Sequence, residues 1–125
     1  MHSKLLLTAT ALIELATGLA LLIVPSLVAE LLLGAKLDSP QAIMVGRVAG
    51  AALLSIGVNC WLAKGFEGSR KELILGLLVY NFSVPVLIAY GALAENMRGI
   101  ALWPAFGVHA VLAIWCVACI RFGKL

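Results

Sequence analysis

Charge is what this sequence is shortest of. Asp, Glu, Lys and Arg make up only 12% of its 125 residues, against about 25% in an ordinary soluble domain. Histidine occurs twice, at His2 and His109, and cysteine three times, at Cys60, Cys116 and Cys119. Three cysteines make no disulfide framework, and all three read as small apolar fillers. Cys116-x-x-Cys119 has no further thiol or imidazole at the spacing a four-ligand metal site needs. With His2 placed before the first apolar run, a haem held between two histidines would need a second copy of the chain across a two-fold axis. No glycine-rich phosphate loop, HExxH motif or Ser-His-Asp set at a water-facing depth is present. The expectation is a non-enzymatic protein without a metal or cofactor. A net charge of +3, scattered along the chain, leaves no footprint for nucleic acid.

What the sequence does have is oil. Hydrophobic residues reach 63% and mean hydropathy is +1.10. A chain of this length cannot build a soluble core large enough to hide that much apolar surface. The composition predicts an integral membrane protein, with the lipid bilayer as its main partner. A bilayer span takes roughly 20 apolar residues at about 1.5 Å of rise each. Four segments qualify: residues 5–24, stopped by Pro25, then 42–62, 73–93 and 100–120. The N-terminal run is not a signal peptide on this reading, because Glu14 interrupts it and "SLVAE" is a poor cleavage site. Between the first two spans, "SLVAELLLGAKLDSP" suggests a short interfacial helix ended by Gly34. The other connections are short, which makes neighbouring spans antiparallel. The predicted fold is an all-α, up-down four-helix membrane bundle forming a single domain over residues 1–125.

Loop charge sets the expected orientation. Lys4, Lys64, Arg70, Lys71, Arg121 and Lys124 fall on one side, and Lys36 and Arg98 on the other. Both termini are therefore expected in the cytoplasm, in a bacterial inner membrane. Trp61 and Trp115 then mark the inner interface and Trp103 the outer one.

Small residues show where helices approach, since lipid offers them no hydrophobic drive to associate. Gly46-x-x-x-Gly50 in the second span, with Gly57 beyond it, is such a face. Gly18 and Gly76 are further approach points. The pattern serves equally for packing inside one chain and for a homodimer or larger membrane complex. Pro85 is expected to kink the third span and to free backbone groups near Asn81.

The expensive residues inside the spans are Glu14, Arg47, Asn81 and His109, since an ionised side chain at a helix centre costs roughly 2.5–3.5 kcal/mol. Thr10, Thr17, Asn59 and Tyr80 are cheaper company. Glu14 lies about 15 Å into its span, level with Asn81 and His109. Thr10, Glu14, Thr17 and Gly18 share one polar, small-residue face that belongs against protein. Two readings follow. Glu14 is paired with Arg47, whose depth and long side chain permit it, and the cluster is architectural. Alternatively Glu14 is a proton- or cation-binding carboxylate with His109 as its partner.

Two resemblances bear on the choice. The segment "GRVAGAALLSIGVNCWLAKG", with Arg47, Gly50, Ala51, Gly57 and Trp61, resembles small bacterial four-span proteins that are broadly DoxX-like, as does "TGLALLIVPSLVAELLLG" before it. That resemblance implies the four-helix fold and no settled activity. Glu14 in "ALIELATG" is similar in placement to the first-helix glutamate of small multidrug resistance transporters, which exchanges protons for cationic substrates. In their third helix those transporters carry a Trp-Gly-rich signature, where this chain has "LVYNFSVPV". The expected function is thus an interaction or accessory bundle with a buried polar cluster. The alternative is a proton-coupled transporter or lipophile-binding protein using Glu14. A membrane redox protein, with quinone or haem at His109, is a further alternative.

Overall fold

The computed structural model describes residues 2–65 and 70–122. They form five helices: α1 (His2–Ile23), α2 (Pro25–Leu33), α3 (Pro40–Ala63), α4 (Lys71–Ala94) and α5 (Leu102–Phe122). Helices α1, α3, α4 and α5 are each long and apolar enough to cross a membrane. Lys124, one of the charges used for orientation, lies outside the described residues.

The ends follow from local chemistry. Pro25 ends α1 and opens α2 at its first turn, where a missing N–H costs nothing. Gly34 closes α2 in the left-handed region at φ 85°, its N–H on the carbonyl of Glu30. Ser39 caps α3, its hydroxyl accepting the Ala42 N–H at 3.1 Å, with Pro40 next in line. Helix α4 runs without a break through Pro85. The proline still withholds the N–H that the Asn81 carbonyl would take one turn back.

Glycine decides the closest approach. A Cβ on Gly18 would stand 2.8 Å from the Gly50 carbonyl oxygen, and one on Gly50 would stand 2.7 Å from that of Gly18. Further along, Gly57 meets Leu15, and Gly46 meets Pro25. As the number rises on one helix it falls on the other, so α1 and α3 run antiparallel. The Gly46-Gly50-Gly57 face is spent inside the chain. Gly76 is no approach point, because nothing lies within 4 Å of where its Cβ would be.

Helices α4 and α5 form the second antiparallel pair, and α1 is the most enclosed of the long helices. All four contribute to one apolar plug. Leu6, Leu7 and Ala11 of α1 meet Cys60 of α3, Ile74 and Leu77 of α4, and Leu112, Cys116 and Cys119 of α5. The cysteines are free, buried fillers. At the opposite end the backbone N–H groups of Arg98 and Ala101 donate to the carbonyls of Leu33 and Leu31, fastening the α4–α5 connection to the end of α2. Between these ties α3 and α4 barely meet, although they are consecutive in the chain. Large apolar side chains such as Val48, Val79, Phe82, Val86, Val111 and Ile114 point outward, the inverse of a soluble domain.

Candidate functional site

The polar residues of the spans collect on one seam across α1, α4 and α5. Thr10 and Glu14, one turn apart on α1, are 0% and 1% exposed. From α4, Tyr80 donates its hydroxyl proton to Oε2 of Glu14 at 3.3 Å. Among the described residues, neither the Thr10 hydroxyl nor the second carboxyl oxygen, Oε1, has a hydrogen-bond partner. An unpartnered buried polar atom is costly, more so in a low-dielectric interior, and marks a place where something polar belongs.

Beside it, the Asn81 amide donates to the Leu77 carbonyl at 2.9 Å, which turns Oδ1 toward α5. His109 Nδ1 lies 2.8 Å from that oxygen. An amide oxygen only accepts, so Nδ1 carries the proton and Nε2 is left as the acceptor of the neutral ring. Tyr80 stands edge-on to the imidazole, with ring centroids 5.4 Å apart at 87°. The order across the seam is Glu14, Tyr80, His109, Asn81.

The ion pair between Glu14 and Arg47 that span depth permits is not formed. Arg47 is exposed, and it lines a groove with Glu30 and Lys36. Gly50 and Gly57 face α1 and Gly46 faces Pro25 at the start of α2, and at about 100° per residue Arg47 falls roughly 80° away from the mean direction of the three. His109 is not the direct partner of Glu14 either; Tyr80 takes that place. Asn59 is exposed on the side of α3 away from α1 and bonds the Ser55 carbonyl of its own helix at 2.8 Å. Thr17 is half-buried and outside the seam's hydrogen bonds.

The gap between α3 and α4 reaches this seam. It is a cleft of about 330 Å³ lined by Ser55, Ile56 and Asn59 from α3 and by Glu72, Gly76 and Tyr80, among others, from α4. Gly76 keeps it open. Tyr80 forms its inner wall and binds Glu14 behind it. Sequence reading reached the cluster's members but ranked Tyr80 too low and had no signal for the cleft, which depends on two consecutive helices staying apart. Among the described residues no three His, Cys, Asp or Glu side chains gather as a metal-binding set.

Compared with known proteins, the chain matches no family model, no curated protein and no solved structure.

Proposed function

We propose that this is a small integral membrane protein that takes a lipophilic ligand from the bilayer into the α3–α4 cleft and holds it against Tyr80 and Glu14, as a binding protein or proton-coupled carrier. The observation that carries the reading is the buried Glu14 carboxyl, held by Tyr80 through one oxygen and, among the described residues, unpartnered at the other. A purely architectural carboxyl would have both oxygens satisfied, or a cation beside it.

The cleft supplies what a lipophile needs. It lies within the spans, is mostly apolar, and offers a few polar groups at fixed positions. A ligand donor that displaced the Tyr80 hydroxyl would find the carboxylate behind it. A proton on Glu14 would switch that group from acceptor to donor, the minimal element of a proton-coupled cycle. The likeness of Glu14 to the first-helix glutamate of small multidrug resistance transporters agrees with a working carboxyl. Insertion in a bacterial inner membrane with both termini cytoplasmic belongs to the same proposal.

The test pairs Glu14→Gln with Gly76→Leu, which fills the cleft from a position with open space around it. Wild type and variants are titrated with a fluorescent hydrophobic amine in detergent, then compared for proton-driven uptake in proteoliposomes. Both variants are expected to lose most of the binding. Unchanged binding and flux in both would end this reading.

The interaction-bundle reading keeps one support, the broad outward apolar face of α4 and α5, which suits a neighbouring membrane protein as well as lipid. The glycine face no longer argues for it, being used within the chain. A stoichiometric partner in a mild-detergent pull-down would favour it.

A further inference from the structure

A second polar feature lies outside the Glu14 seam. Arg47 sits seven residues beyond Pro40, about 10 Å along α3, exposed and inside a helix otherwise apolar at that level. Among the described residues it has no ion-pair partner; Glu30, its acidic neighbour in the groove, is taken by Lys36 at 3.7 Å. A guanidinium at this depth with no internal anion is expensive, and its long stem can lift it only toward the interface.

The surroundings are a built groove. It has a volume of about 440 Å³ and runs between the α1–α2 junction and the first turns of α3. Ile23, Leu27 and Ile43 give it apolar walls, while Arg47 and Lys36 outnumber Glu30 and leave one positive charge in surplus. Its shape is held from below: Ser26 both donates to the Leu37 carbonyl at 3.2 Å and accepts the Leu37 N–H at 3.0 Å, strapping the α2–α3 connection to α2.

We propose that this groove seats an anionic phospholipid, its phosphate on Arg47 and Lys36 and an acyl chain along Ile23, Leu27 and Ile43. A guanidinium fork matches phosphate oxygens two at a time, and a phosphodiester supplies the single negative charge that the groove lacks. The apolar walls select a lipid over a free anion, and the end of the spans is where lipid headgroups lie. The site is separate from the Glu14 cleft and does not depend on its reading.

The test follows the melting temperature of the full chain in detergent as phosphatidylglycerol, phosphatidylcholine of the same chains, or inorganic phosphate is added. Phosphatidylglycerol is expected to stabilise the wild type well beyond the other two. Arg47→Gln should weaken that response by about tenfold, the scale of a lost charge-assisted hydrogen bond, and Arg47→Lys by less. Glu14→Gln should keep it in full. An unchanged response in Arg47→Gln would overturn the proposal. So would an equal effect of phosphatidylcholine, inorganic phosphate acting alone, or loss of the response in Glu14→Gln.

Discussion

The hydroxyl of Tyr80 reaches Oε2 of Glu14 across 3.3 Å, and this hydrogen bond joins α1 to α4 in the part of the molecule where their backbones stay apart. Tyr80 is thereby both the inner wall of the α3–α4 cleft and the holder of the buried carboxyl. Its removal should be felt at both places.

Tyr80→Phe keeps the ring and its edge contact with His109 while deleting the hydroxyl. Interhelical hydrogen bonds in membranes average about 0.6 kcal/mol and reach about 1.7, so a loss within that range is expected in reversible detergent unfolding. In a Glu14→Met background the same substitution should cost nothing. Equal costs in both backgrounds would mean that the bond does not carry the effect.

Gly50→Ala and Gly76→Ala make a matched pair on facing helices. The first puts a methyl 2.7 Å from the Gly18 carbonyl oxygen, against backbone that cannot yield. It should destabilise by about 1–3 kcal/mol, the usual scale of overpacking. The second meets open space and should be neutral or gain up to about 1 kcal/mol from helix propensity. Thermal melts of the two proteins check the contrast, and a reversed order would refute the assigned packing.

Asn81→Leu removes the acceptor that fixes the His109 tautomer. Nitrogen-15 shifts of the imidazole should show a proton on Nδ1 in the wild type and loss of that preference in the variant. An unchanged tautomer would place the determinant elsewhere.

Orientation is open to direct measurement. Lys4, Lys64, Arg70, Lys71 and Arg121 lie at the end of the molecule opposite Lys36 and Arg98. A fluorescent protein fused after Leu125 should therefore fold and glow, and a phosphatase fused there should stay inactive. An active phosphatase would invert the topology.

The long helices were legible because length and apolarity fix them, and Gly34 and Pro25 mark the short α2 by backbone chemistry alone. The seam was legible in part. Depth along a span places Glu14, Asn81 and His109 on one level, but depth says nothing about rotation around a helix axis. That is why Arg47 was available to Glu14 on paper and faces a groove in the structure. Rotation could have been read from the glycines, had their face been assigned to α1 first. Gly76 shows the limit of that method, since a small residue opens space as readily as it admits a neighbour. Whether Tyr80 or His109 takes the carboxyl rests on distances of an ångström or two that no spacing rule encodes.

The fastening of residues 98–101 onto α2 is made by main-chain groups, the N–H of Arg98 and Ala101 on the carbonyls of Leu33 and Leu31. Almost any side chains would serve at 98 and 101, so their identities carry no message about the join. The information sits at Gly99, where a methyl would collide with the backbone of Leu31 and Leu32. One missing carbon there licenses the docking of the two halves of the molecule, a structural instruction written as an omission.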